Sequence, residues 1–224
     1  VTDSSGQNNN GSMIGFTSTS SAIVAGKLGQ GLKFDGVNDV VTGPTYNGVK
    51  TVSFWLKPNS TTQQILMLDA SLASTSISSG TVSANNFTSP TIYVDGVVTS
   101  TIGTGWHFIT ITTGTGINAS AIKVGQTGTG YYAGSIDDVR IYNRTLSASE
   151  IKQLYNMGSD KINTVSLATA GGDTLKTGLV GWWTFDGANM KNNVTDSSGQ
   201  NNNGSMIGFT STSSAIVAGK LGQG

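Results

Sequence analysis

The 31 residues that open the chain, VTDSSGQNNNGSMIGFTSTSSAIVAGKLGQG, recur without a change as residues 194–224, so the second copy begins 193 residues after the first. Identity over that length is not chance, and it reads as one period of a tandem array plus an overlap. A period this long is no solenoid unit, which runs roughly 20–50 residues, because a segment of such length buries its own apolar face. Each period therefore reads as a whole domain on a string, with boundaries that do not coincide with the chain ends. An engineered duplication is the competing origin. Either way, two identical segments meet one place to pack.

Composition narrows the class. Gly contributes 31 residues among long runs of Ser, Thr and Asn, hydrophobic residues make up 36% and charged ones 11%. That mixture favours strands and turns. Twelve basic and twelve acidic residues give a net charge of zero, so no field draws in nucleic acid or an anionic membrane surface. The absence of Cys excludes a disulfide frame and a thiolate metal site. No apolar stretch approaches a membrane span, and an export signal is expected outside these residues.

Strand-like runs fall near 22–25, 32–34, 39–42, 50–57, 64–69, 91–94, 97–101, 106–113, 121–125, 136–142 and 179–185. In TVSFWLK, Val52, Phe54 and Leu56 point one way and Ser53, Trp55 and Lys57 the other, which predicts a half-buried strand. Asp95-Gly96 between apolar runs predicts a two-residue hairpin with positive φ at both positions. One helix is expected over 147–156, with Ser147 and Glu150 at capping-box spacing, a stripe of Ile151, Leu154 and Tyr155, and Gly158 as the stop. GQTGTG at 125–130 lacks the Lys-Ser/Thr of a phosphate loop and reads as hairpin turns.

GLVGWWTFDG (178–187), DSSGQNNNG (196–204 and 3–11), LKFDGVNDVV (32–41), VSFWLKP (52–58), WHFITIT (106–112) and IDDVRIYNRTLSASEI (136–151) occur in that cyclic order. Together they resemble the laminin-G-like (LamG) domain of the concanavalin A-like lectin/glucanase superfamily. The resemblance implies an all-β, antiparallel two-sheet jelly-roll sandwich with one short C-terminal helix. It also makes GLVGWWTFDG the opening strand and IDDVRIYNR the closing one. On that basis residues 1–156 are a jelly roll lacking its own first strand, 157–177 a linker, and 178–224 the first strand and following loop of the next repeat. A vacant strand position at a sheet edge is costly and open to pairing. Leu179, Val180, Trp182, Trp183 and Phe185 are thus expected to fill it, in cis or in a neighbouring subunit. Trp182 and Trp183 cannot both face inward on a strand.

Glycosidases of this group need two carboxylic acids about 5 Å apart. The chain has a single Glu, Glu150, already assigned to the capping box, and a single His, His107, whose place beside Trp106 reads as structural. No enzyme is expected. The resemblance implies a structural calcium where first and last strands meet, which falls on Asp3 or its copy Asp196, on Asp137 or Asp138, and on Asp186; turn capping is the competing reading. Asp35 and Asp39 read as turn caps. Tyr46, Tyr131 and Tyr132 are candidates for stacking on pyranose faces, with core packing and plain exposure as the alternatives. The expected partners are neighbouring copies of the chain, head to tail, and glycans. The expected location is extracellular or at a cell surface.

Overall fold

The computed structural model describes residues 1, 3, 9–16, 22–69, 73–128, 130–159 and 177–183, together with short strands at 190–191, 193–194 and 204–205. Two antiparallel sheets carry the fold. In one, the order is β1 (Ser12–Ile14), β4 (Val40–Thr42), β12 (Lys123–Val124), β6 (Gln63–Met67), β7 (Ser74–Ser78) and β8 (Thr81–Asn85). In the other it is β10 (Val97–Val98), β9 (Thr91–Val94), β11 (His107–Ala119), β5 (Tyr46–Pro58), β15 (Ala133–Tyr142), β3 (Gln30–Asp35) and β2 (Ile23–Ala25), with β16 (Leu179–Trp183) also paired to β15. The main core lies between them, where Phe54, Leu56 and Ile109 of one sheet meet Ile65, Leu66 and Val82 of the other.

The expected half-buried strand over 51–57 proves buried on both faces. Trp55, which alternation sends away from the inter-sheet core, is 1% exposed. A second cluster of Trp55, Phe108, Tyr142, Leu146, Ile151, Leu154 and Leu179 forms beneath the helix α1 (Ala148–Gly158). The helix is therefore a lid on the outer face of the large sheet, and its apolar stripe has a defined target. Ser147 caps it with both halves of the capping box in place, and Tyr155 stacks on Trp55 with ring centroids 5.7 Å apart.

Gly158 corrects the sequence reading. The helix runs through it to a cap at Ser159 in extended conformation, so residues 157 and 158 belong to the helix rather than to the expected linker, and no left-handed glycine stops the helix. Glycine is required there because a Cβ would fall 2.6 Å from the Trp55 indole. In an exposed helix, Gly→Ala gains about 1 kcal/mol, but overpacking a rigid ring costs about 1–3 kcal/mol. Gly158→Ala is thus expected to lower the denaturation midpoint in urea, whereas a rise would mean that Trp55 moves aside freely.

The Asp95-Gly96 hairpin joins β9 to β10 with φ of 54° and 78°. Ser79-Gly80 makes the same kind of turn between β7 and β8, at 49° and 77°. Gln126–Thr127 (β13) and Gly130–Tyr131 (β14) form the expected small hairpin. The repeated segment also repeats its local structure. Val1 and Gly11 exchange both backbone hydrogen bonds at 2.9 Å. One period later Val194 and Gly204 pair likewise, in β18 (Asn193–Val194) and β19 (Gly204–Ser205), beside β17 (Met190–Lys191).

Candidate functional site

Strand β15 has one edge on β5 and divides the other between two partners. Ala133 to Ile136 pair with β3, while Val139 to Tyr142 pair antiparallel with β16. The changeover falls at Asp137-Asp138, where the β15–β5 register shifts and Asp138 takes φ of 50°. A bulge of this kind bends a strand and lets its edge change partners.

Both aspartates are committed there. The Asp137 carboxylate, fully buried, accepts the backbone N–H groups of Lys27 and Leu28, each at 2.7 Å, and so fixes the turn between β2 and β3. Gly26 stands in that turn because a Cβ would lie 2.5 Å from the same oxygen. Asp138 receives Arg140 through Nε at 3.1 Å and a second guanidinium nitrogen at 3.0 Å, a buried pair. Burial opposes the charge on Arg140, but the Asp138 carboxylate more than offsets it, and the guanidinium stays charged beyond its ordinary range.

The other end of the slot receives the start of β16. Asn143 N–H donates to the Gly178 carbonyl at 3.1 Å, and Arg144 Nε donates to the Thr177 carbonyl at 2.5 Å. Arg144 also holds Glu150 with two bonds of 3.1 and 2.8 Å, while Ser147 N–H and Oγ donate to the same carboxylate. These bonds, the Arg144 one foremost, keep Glu150 ionised down to about pH 2. Gly178 has φ of 72°, and a Cβ there would sit 2.7 Å from Asn143 Oδ1 and 3.0 Å from Arg144 Cγ. Leu179 follows directly into the cluster under the helix, 3% exposed.

Of the five expected calcium ligands, Asp3, Asp137 and Asp138 are among the described residues, and each is engaged within the protein. Asp137 and Asp138 spend their carboxylates on backbone N–H groups and on Arg140. Asp3 is buried and accepts Asn9 N–H at 2.9 Å. Among the described residues no group of three His, Cys, Asp or Glu side chains is arranged to hold a metal ion. Asp186 and Asp196 lie outside the described residues, as do Phe185 and the side chains of Val180, Trp182 and Trp183.

Two of the three candidate sugar-stacking rings are interior. Tyr46 is 4% exposed with its hydroxyl on the Asn9 carbonyl. Tyr132 is fully buried, its ring edge-on to Phe34, and burial raises its hydroxyl pKa. Tyr46 opens β5 and Tyr132 lies between β14 and β15, and both rings turn inward. Tyr131 is half-buried in β14.

Asp35 and Asp39 are the turn caps they resembled. Asp35 accepts Val37 and Asn38 N–H, and Asp39 accepts Asp35 N–H at 2.8 Å. Burial, with the Asp35 carboxylate nearby and against the Asp35 N–H bond, pushes Asp39 up to about 6. A carboxyl whose folded pKa lies above its unfolded value of 3.8 imposes no penalty below that value and costs stability as pH rises through 6. Asp39→Asn keeps an acceptor for Asp35 N–H. It should raise the melting temperature near pH 8 and leave it unchanged near pH 4; an equal effect at both pH values would remove the ionisation from the account.

His107 is structural: Gly103 N–H donates to Nε2 at 3.1 Å, so the ring proton sits on Nδ1, directed at Asp95 Oδ2 2.8 Å away.

Two facing antiparallel sheets and one short helix define a concanavalin A-like β-sandwich. Residues 79–152 match the family model Laminin_G_3, described as concanavalin A-like lectin/glucanases superfamily, a stretch running from the β7–β8 turn to the first turn of the helix. The match supports a LamG-like domain of that superfamily over those residues. No curated protein matches the chain. Among the described residues no helix is long and apolar enough to cross a membrane.

Proposed function

We propose that the chain is a non-catalytic repeat module of an extracellular or cell-surface protein, and that successive copies build a fibre or adhesive stalk by exchanging the segment that forms β16. The seat of β16 carries the reading. A strand that stands after the helix in sequence occupies the vacant edge of β15, with Tyr142 opposite Leu179 and Val139 opposite Trp183. In an array of identical periods that edge meets the identical segment of a neighbour equally well, and a head-to-tail contact of this kind propagates without closing. The pairing shared by Val1–Gly11 and Val194–Gly204 supports a segment that carries its local structure into either setting. The sole Glu, bound by Arg144 and Ser147, supports a structural rather than a hydrolytic role.

Light scattering and negative-stain electron microscopy after refolding at rising concentration test this. Regular filaments or ladders of oligomers are expected, whereas monomers at every concentration would contradict it. Binding on a glycan array without self-assembly would favour a lectin-like, calcium-dependent carbohydrate module instead. In that reading calcium must draw on Asp186 or Asp196, and chelator must lower the melting temperature.

A further inference from the structure

The mouth of the strand slot carries contacts beyond the ladder of β15 with β16. Any extended segment can add hydrogen bonds to a sheet edge, so backbone pairing gives affinity without identity. The mouth asks for more. The carbonyls of Thr177 and Gly178 are received by Arg144 and Asn143, from consecutive residues of the acceptor. Between them the backbone turns through the left-handed region at Gly178, with Asn143 and Arg144 side-chain atoms where a Cβ would stand. The next residue must fill an apolar socket of Tyr142, Leu146, Ile151 and Leu154. Arg144 is itself fixed by two bonds to Glu150, so the helix cap and the mouth of the slot are one rigid unit.

We propose that Asn143, Arg144 and this socket form a recognition site for a Gly-Leu strand start, and that its partner in assembly is residues 177–183 of a second copy. The inference rests on strand exchange between copies and names the side chains that choose the strand. Arg144 is a positioning residue: it receives a backbone carbonyl and gains its direction from Glu150. Gly178 is the gate, since any residue with a Cβ meets both a steric block and the cost of positive φ. Leu179 supplies the apolar anchor.

The test uses the full chain with a protease site inserted within 160–176, cut, then unfolded and refolded with excess fluorescent peptide of sequence TGLVGWWTFDG. Anisotropy reads the affinity, and a scrambled peptide is the control. The native peptide is expected to enter. Its Gly178→Ala form should bind about tenfold more weakly or worse, and its Leu179→Ala form about a hundredfold more weakly. Arg144→Ala in the protein should weaken the native peptide, with part of the loss restored by Arg144→Lys, which keeps a donor. Glu150→Gln should weaken the same peptide less than Arg144→Ala. Equal binding of the native and Gly178→Ala peptides would overturn the recognition site and leave strand exchange standing. Failure of the native peptide to bind above the scrambled one would overturn both.

Discussion

Replacing Leu179 by Ala is expected to lower the unfolding free energy by about 2–4 kcal/mol, the range for emptying a fully packed leucine site. The magnitude follows from where the side chain sits. Leu179 is 3% exposed among Trp55, Phe108, Tyr142, Leu146, Ile151 and Leu154, and rigid aromatic neighbours leave little room for collapse into the cavity. An exposed residue after a linker would change stability by less than about 0.5 kcal/mol. Urea denaturation followed by Trp fluorescence distinguishes the two. A midpoint within error of the parent would show that β16 adds nothing to the stability of the sandwich, and the assembly reading would lose its energetic basis.

The Asp138–Arg140 pair gives the second large effect. Removing one member of a buried ion pair costs about 3–5 kcal/mol, because the other charge is left without a partner in a low-dielectric setting. Asp138→Ala therefore leaves the buried guanidinium without its carboxylate, with Tyr142 still beside it, and the positive φ at 138 adds a further penalty for a residue with a Cβ and no compensating polar atom. Asp138→Asn separates the terms: it tolerates the backbone conformation yet loses the charge. If charge dominates, both single variants are severely destabilised and Arg140→Met restores much of the loss on the Asp138→Asn background. If Asp138→Asn is nearly neutral while Asp138→Ala is not, the backbone conformation is what matters. Either result bears on β16, since Arg140 stands opposite Trp182 in the ladder.

Much of the sandwich was legible because its strands carry β-branched and aromatic residues between turn residues with a mechanism. β7 and β8 were not. Ser74–Ser78 and Thr81–Asn85 read STSIS and TVSAN, with one large apolar residue each, Ile77 and Val82, both buried. Their best signal was Ser79-Gly80, a turn dipeptide overlooked among many similar ones. The three-residue β1 has too little sequence for a period to show. Trp55 was placed on the correct side of its strand, but the sequence of one strand cannot say that a helix ninety-odd positions later will cover that side; the covered face becomes legible only when α1 and β5 are considered together.

The site divides similarly. The strand 179–185 and the aspartates at 137 and 138 drew attention from the resemblance, yet the role of Asp137 follows from a contact more than a hundred residues away in sequence, with Lys27, and that of Asp138 from an ion pair with Arg140, two residues on, that only burial makes consequential. Arg144, Asn143 and Gly178 stood inside the motifs IDDVRIYNRTLSASEI and GLVGWWTFDG, but no role in the strand slot was drawn for them. A signal was available for one of them: the only Glu of the chain stands six residues after Arg144, and a lone acid with a nearby guanidinium is a candidate pair. The glycine gate had no signal in sequence, because its need comes from Asn143 and Arg144 side chains brought against it by the fold.

Amide hydrogen exchange of residues 178–183 and of Asn143 in the intact chain tests the central claim most directly. Seated against β15, the amides of this segment that face the strand, and the Asn143 N–H that donates to the Gly178 carbonyl, exchange only with opening of the sheet. They should approach the protection of the central β5–β11 ladder. Exchange of these same amides at the rate of an unstructured peptide, with β5 and β11 still protected, would contradict it.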